Sequence, residues 1–310
     1  MAAGRMAELN RRGLEAAAAL VRRLGLPAGE PVMLSSRGNL LLHFAPAPVV
    51  ARVATLTAFS RRDPFAWLAR EVAVAAYVAA RGGPVVAPSG LADPGPYWQD
   101  GFAVSFWDYL PPDPRRPSLA QVGAALASLH EAAAGCPADL GELRAATDQI
   151  SEGLEALERE SVLPAATIRA LRARHENVLG RLHGGGYRVV LHGDVHAGNL
   201  VAVGATSSSG ADPGDLAAGW CWIDLEETSR GPVEWDLATM VAEKPAADAA
   251  AALGAYAGRS GRPVASIESL APFHEARILE AVVWTSCMAH LYPARYRDQA
   301  RDRLAGFLGE

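Results

Sequence analysis

The sequence predicts an α+β chain of two lobes: a small N-terminal lobe with an antiparallel sheet plus a helix, and a larger, mostly helical C-terminal lobe. Three observations predict it. Between residues 31 and 56, three short apolar runs alternate with turn-forming residues, as consecutive antiparallel strands do. Pro111, Pro112 and Pro114 then crowd together into a stiff connector. Beyond them, apolar residues recur at helical spacing over long stretches. With 310 residues, 50% of them hydrophobic, the chain can bury more than one core, and the lobes are expected at 1–108 and 109–310.

Residues 8–25 read as a helix ended by Gly25 and Pro27. The three strand-like runs are 31–36, 39–44 and 49–56, with Ser35 to Asn39 and then Pro46 and Pro48 between them. Asp63 is a fitting N-cap for a helix whose first residue is Pro64, and Gly82-Gly83-Pro84 ends it. Residues 101–109 form a further strand. After the prolines, Ser118 and Gln121 make a capping box for a helix that buries Leu119, Val122, Leu126 and Leu129. Residues 140–182 read as a helical pair broken at Leu163-Pro164. Val189 to Leu191 and Cys221 to Ile223 are buried strands, with a hairpin loop at 204–219, and helices fill the chain from Ala246 onward.

Composition removes several classes of function. A net charge of −5 gives no electrostatic case for nucleic acid, and no apolar run is long enough for a membrane span. The apolar stretch near the N-terminus is short and flanked by Glu15, Arg22 and Arg23, so it reads as an amphipathic helix rather than a leader. Three cysteines, far apart and odd in number, point to a reducing, cytoplasmic setting. The sequence leaves the oligomeric state open.

Chemistry concentrates at His192-Gly193-Asp194-Val195-His196-Ala197-Gly198-Asn199 and at Trp222-Ile223-Asp224. Two buried strands each deliver a carboxylate at their end. Such a set suits phosphoryl transfer: one carboxylate takes or orients a hydroxyl proton, while an amide and a second carboxylate hold Mg²⁺ against phosphates. A third element follows, Gly231-Pro232-Val233-Glu234-Trp235-Asp236-Leu237-Ala238. In this order and spacing the three motifs resemble the aminoglycoside phosphotransferase and choline kinase-like family, a branch of the protein-kinase-like superfamily. The resemblance is strongest over residues 186–240. It implies a bilobal protein-kinase-like fold, Asp194 as the catalytic carboxylate, Asn199 and Asp224 as Mg²⁺ ligands, and ATP or GTP as phosphoryl donor. His192 and His196 are expected to shape the loop, and Asp236 to tie its backbone together.

The chain departs from the family in one respect: its only lysine is Lys244, so the small lobe has none. Arg52 stands in the strand where a phosphate-binding lysine is expected, with Glu71 on the next helix as its partner. A charge inside an apolar strand needs such a partner, and a guanidinium can bind phosphate bidentately. The turn holding Ser36, Gly38 and Asn39 is expected over the phosphates, and Trp107 to Leu110, with Trp107 and Tyr109, beside the purine. For the acceptor, the acidic stretch Asp148, Glu152, Glu155, Glu158 and Glu160 suits a polycation or is a solvated helix face. Trp235, Trp284, Tyr292 and Tyr296 line an acceptor pocket or belong to the core.

The expected function is phosphorylation of a small-molecule hydroxyl, first of an aminoglycoside-like antibiotic in resistance, alternatively of an amino-alcohol or sugar metabolite. A nucleotide-binding scaffold without activity is a third reading, opposed by the joint presence of Asp194, Asn199 and Asp224. A binuclear metallophosphoesterase is discounted because the chain has no Gly-Asn-His and no Gly-His pair.

Overall fold

The computed structural model describes residues 2–182, 187–204, 215–263 and 266–309. Helix α1 (Ala2–Arg23) starts earlier than its apolar pattern suggested and lays Ala16, Ala17, Leu20 and Val21 against a sheet. Strands β1 (Val32–Ser36), β2 (Leu40–His43) and β3 (Val49–Val53) form the expected antiparallel meander. A single turn, α2 (Thr57–Ser60), leads into α3 (Pro64–Ala80), where Asp63 accepts the Ala66 N–H at 3.0 Å and Pro64 opens the helix. Two further strands, β4 (Tyr97–Gln99) and β5 (Phe102–Asp108), complete a five-stranded sheet in the order β1-β2-β3-β5-β4. Strand β4 is too short to show a sequence period.

Strand alternation sorts β3 into two faces. Val49, Ala51 and Val53 join the core under α1, while Val50 packs with Val72 and Ala75 of α3. Arg52 shares the parity of Val50, so its side chain is delivered to the α3 side.

The large lobe begins with α4 (Leu119–Ala133), which carries the Ser118–Gln121 capping box. The next helices are α5 (Ile150–Arg159) and α6 (Ala165–Arg181). Helical structure begins only near Ala145, later than the expected 140, because Leu143 N–H is drawn instead to Arg230 O at 2.8 Å. Four strands follow: β6 (Arg188–Leu191), β7 (Leu200–Ala202), β8 (Trp220–Trp222) and β9 (Ser229–Pro232). They pair as β6 with β9 and β7 with β8, both antiparallel. The β7–β8 connection is the expected hairpin, and its residues 205–214 lie outside the described ones. Helices α7 (Glu234–Val241), α8 (Ala246–Ser260), α9 (Ile267–Leu291) and α10 (Pro293–Leu308) finish the lobe. Among the described residues no helix is long and apolar enough to cross a membrane.

The lobes meet at several seams. Besides the proline connector, the segment after α3 docks on β8: Val86 N–H donates to Trp222 O at 2.9 Å, and Trp222 N–H to Pro84 O at 2.8 Å. Behind this seam α4 crosses α8 so closely that a Cβ on Gly123 would lie 2.1 Å from Ala252 O. Gly to Ala in a helix ordinarily stabilises by up to ~1 kcal/mol. Gly258→Ala, on the exposed side of α8 with nothing near its Cβ, should raise the melting temperature. Gly123→Ala should lower it, by ~1–3 kcal/mol of overpacking, as read by thermal denaturation of both variants.

Candidate active site

The loop after β6 is built before any chemistry is asked of it. Gly193 has φ +96° and passes so near the 227 backbone that a Cβ would lie 2.5 Å from Glu227 O. Only glycine accepts both conditions. Asp236, fully buried, takes His192 N–H on Oδ2 at 2.7 Å and Gly193 N–H on Oδ1 at 2.9 Å, and His130 Nε2 lies 2.9 Å from Oδ2. Trp235 Nε1–H donates to Gly193 O at 2.8 Å. Burial lowers the pKa of His192, so its ring is neutral: Nε2–H donates to Ile223 O at 3.1 Å and Nδ1 accepts the Asp194 N–H at 3.3 Å.

This scaffold brings Asp194, Asn199 and Asp224 together. Asn199 Nδ2 donates to Asp194 O at 2.9 Å and to its Oδ2 at 3.2 Å, which leaves Asn199 Oδ1 as a free-facing acceptor. Ile223 N–H donates to Asn199 O at 2.9 Å, which fixes the residue before Asp224 beside Asn199. Asp224 adopts φ +66°, turning its carboxylate away from the β8 direction; that side chain is 37% exposed.

Three guanidiniums, Arg52 with Arg61 in one cluster and Arg277 in the other, neutralise the carboxylates around these three residues. Arg52 Nη1 donates to Glu71 Oε1 at 3.0 Å, and Nη2 lies 2.5 Å from Asp224 Oδ1 and 2.6 Å from Glu226 Oε2. Arg61 approaches the same Glu226 oxygen at 2.8 Å, and Asn39 Nδ2 donates to it at 2.9 Å. Burial works to raise Glu226, but Arg61 and Arg52 outweigh it and hold the carboxyl at about 2. The third guanidinium, Arg277 of α9, contacts Asp194 Oδ1 through Nη2, while its Nη1 lies 2.6 Å from Glu280 and 3.2 Å from Glu227. Burial opposes ionisation of Asp194, yet Arg277 and then His196 keep it well below the usual carboxylate range. Gln149 bridges the clusters: its amide nitrogen donates to Glu227 at 2.9 Å and to Glu280, and its oxygen accepts from Arg61 at 3.4 Å.

A cavity of about 620 Å³ opens between the lobes in front of Arg52 and Asp224. Leu41, Val50 and Val86 line it from the small lobe, Leu200 and Ile223 from the large one, and residues 107–113 close its far end. This is the size of a small-molecule site, with apolar walls between charged groups at the Arg52–Asp224 end and at the Asp113–Arg116 connector.

Similarity to known proteins agrees with this geometry. The sequence pattern of the phosphotransferase enzyme family matches residues 48–273, well over half of the chain. The chain belongs to that family. Solved structures share its fold. A choline/ethanolamine kinase family protein from Mesorhizobium loti superposes with a TM-score of 0.60 at 18% identity, covering 95% of this chain and 94% of that one. Choline kinase LicA from Streptococcus pneumoniae gives 0.60 at 15% identity, over 93% and 98%. An aminoglycoside phosphotransferase from Streptomyces rimosus, solved in complex with ADP and streptomycin, gives 0.54 at 16% identity, over 86% and 98%. No curated protein sequence matches the chain. The fold is therefore bilobal and protein-kinase-like, and the protein is a small-molecule phosphotransferase.

In this phosphotransferase Arg52, Glu71, Trp107, Tyr109 and Asp224 all border the cavity. Tyr109 stacks on His43 with ring centroids 3.6 Å apart, and Trp107 Nε1–H is spent on Ser105 Oγ at 2.9 Å. From the β1–β2 turn it is Leu34 and Arg37 that reach the cavity. Asn39 is instead turned into the ion-pair cluster, where it also accepts from Thr57 Oγ1 at 2.6 Å, because a buried Glu226 needs its donors. Ser36 ends β1, paired with Leu40, and neither it nor Gly38 is among the cavity-lining residues. Trp235 is a core residue at 1% exposure, and Tyr296 is buried with its hydroxyl donating to Arg37 O at 2.8 Å, so these two aromatics do not line an open acceptor pocket. The sequence reading missed Arg61, Gln149, Glu226, Glu227, Arg277 and Glu280. The run Glu226-Glu227 directly after a buried strand was the available signal, since paired acids there demand cations.

Glu71 is 1% exposed and its Oε2 has no partner. Burial pushes its carboxyl up from 4.5 to about 8, with Asp224 and Glu226 adding to the rise and Arg52 opposing it. Between those values the folded chain holds a proton that the unfolded chain releases, so stability falls as pH rises through this window. Glu71→Gln should flatten that fall and cost little at neutral pH, whereas Glu71→Ala should cost ~1–3 kcal/mol by leaving Arg52 Nη1 unpaired. Melting temperatures across the window check both.

Proposed function

We propose that this enzyme transfers the γ-phosphoryl group of Mg·ATP to the hydroxyl of a small molecule, with Asp194 as the carboxylate that receives the hydroxyl proton. The observation that carries this reading is that Asn199 hydrogen-bonds to Asp194 and accepts the Ile223 N–H, which sets both beside Asp224 at the edge of the cavity. The relative solved with ADP supports an adenine over a guanine nucleotide. The purine fits between Leu41, Val50, Leu200 and Ile223. At the closed end, Asp108 and Tyr109 have spent their N–H groups on Ala87 O and Pro48 O, and Pro111 and Pro112 have none, so Leu110 is the donor we assign to the base.

Asp224 and Asn199 fit a Mg²⁺ site: a half-exposed carboxylate and an amide oxygen, with nucleotide phosphates supplying further oxygens, is the sparse protein set this ion accepts. When bound, it neutralises charge on the phosphates. The chain itself does the rest. Arg52 faces the phosphates with a guanidinium fixed by Glu71. Asp194 orients the acceptor oxygen for in-line attack: the new O–P bond forms as the bond to the leaving ADP oxygen breaks, and the hydroxyl proton passes to Asp194. A cytoplasmic setting accords with this donor and with three free cysteines.

The acceptor reading shifts within the expected range. The acidic stretch that suited a polycation is already paired: Asp148 with Arg144 at 2.6 Å, Glu158 with Arg172 at 2.6 Å, and Glu152 and Glu155 with the backbone and guanidinium of Arg62. This favours a metabolic hydroxyl compound over an aminoglycoside in resistance.

Two measurements test the reading. Asp194→Asn should lower kcat ~10²–10⁴-fold with nucleotide affinity kept; a variant retaining more than about a tenth of the rate counts against Asp194. Asn199→Ala and Asp224→Ala should each raise the Mg²⁺ concentration needed for half-maximal rate at fixed nucleotide. Unchanged titrations for both would move the metal elsewhere.

A further inference from the structure

On the reading that the acceptor hydroxyl meets Asp194, we infer that Arg277 selects acceptors by charge: the phosphorylated hydroxyl belongs to an uncharged molecule, and an ammonium beside it is excluded. Three carboxylates, Asp194, Glu227 and Glu280, converge at this end of the site. Left alone they would form a trap for amines. Arg277 occupies that trap. Its Nη2 contacts Asp194 Oδ1 while Asn199 holds Oδ2, so a substrate hydroxyl must approach the remaining lone pairs beside a guanidinium. An amine on the carbon next to that hydroxyl would lie against a like charge.

Arg277 cannot step aside cheaply. Its other nitrogen is held by Glu280 at 2.6 Å, whose side chain is 3% exposed, and by Glu227 at 3.2 Å, 9% exposed. Withdrawing the guanidinium would strand two buried carboxylates, and an arginine does not deprotonate to relieve the clash. The face remains open enough to matter: Asp194 and Arg277 are 21% and 18% exposed. On α5, Glu155 and Glu158 are already paired with Arg62 and Arg172.

The test compares wild type, Arg277→Gln and Arg277→Lys, each bound to Mg²⁺ and a non-hydrolysable ATP analogue. Kanamycin serves as the polycationic probe, titrated calorimetrically at low ionic strength. Kanamycin should bind Arg277→Gln at least about tenfold tighter than wild type, the effect of removing one like charge at partly solvated separation. Arg277→Lys, which keeps the charge, should resemble wild type. In turnover, neutral sugars, polyols and nucleosides should exceed choline and kanamycin in kcat/KM with the wild-type enzyme. Equal kanamycin affinity for wild type and Arg277→Gln overturns the inference, as does preferred turnover of a cationic acceptor. If Arg277→Gln does not fold, wild-type binding decides: micromolar kanamycin affinity overturns the inference and its absence upholds it. Should no acceptor yield ADP, the phosphotransfer reading fails, while the binding comparison still judges the charge selection.

Discussion

The constraint on which this active site depends is the burial of charge where the lobes meet. Strand β8 leaves the core and at once presents Asp224, Glu226 and Glu227, the last two almost wholly buried. Buried carboxylates are tolerable only with cations and hydrogen-bond donors in place. Those come from far along the chain: Arg52 from the sheet, Arg61 from the segment before α3, Arg277 from α9. The turn at 224–227 is thus a point to which both lobes are tied by ion pairs, alongside apolar packing of Val74 and Val78 on α4 and of Met6 and Leu56 on α5 and α9.

The arrangement explains how an arginine can stand where relatives are expected to use lysine. The Arg52 fork reaches different elements with its two Nη atoms: Nη1 meets Glu71 on α3, Nη2 meets Asp224 and Glu226 after β8. A compact ammonium would have to choose a centre among carboxylates set this far apart, whereas a planar guanidinium spans them. Arg52 is therefore both the cation that borders the cavity and the staple between the small-lobe helix and the turn after β8.

Much of this was legible in the sequence, for identifiable reasons. Where function lies in a contiguous loop, spacing carries it: His192 to Asn199 must fold on itself, and a glycine at 193 and a buried Asp236 are what such a loop needs. Local rules also read true at Asp63 with Pro64 and at Ser118 with Gln121, because caps involve only near neighbours. The Arg52–Glu71 pair was legible because a charge within an apolar strand must be answered nearby. What escaped were partners joined only by the tertiary fold. Asp224 is 172 positions from Arg52 and shares its guanidinium, and Arg277 sits in a helix whose pattern marks no face for an active site. Asn39 misled for a related reason. A polar residue in a glycine-containing turn suits a phosphate, but the buried Glu226 below it, which draws a further donor beyond Arg52 and Arg61, had the stronger claim.

Gln149 shows why the two clusters act as one unit. A neutral amide has both a donor and an acceptor end, and here the donor faces Glu227 and Glu280 while the acceptor faces Arg61. Neither a lysine nor a glutamate could serve both neighbours without an unpaired charge. Through this side chain, the cluster that holds the cavity-lining Arg52 and the cluster that holds Asp194 share one hydrogen-bond network. Interacting groups in such a network do not contribute additively. A change in charge at Glu226, in the Arg52 cluster, is therefore coupled through Arg61 and Gln149 to the carboxylates that fix Arg277, and through Arg277 to Asp194. The residues proposed for selectivity and chemistry thus belong to the same buried charge network that ties the two lobes at this turn.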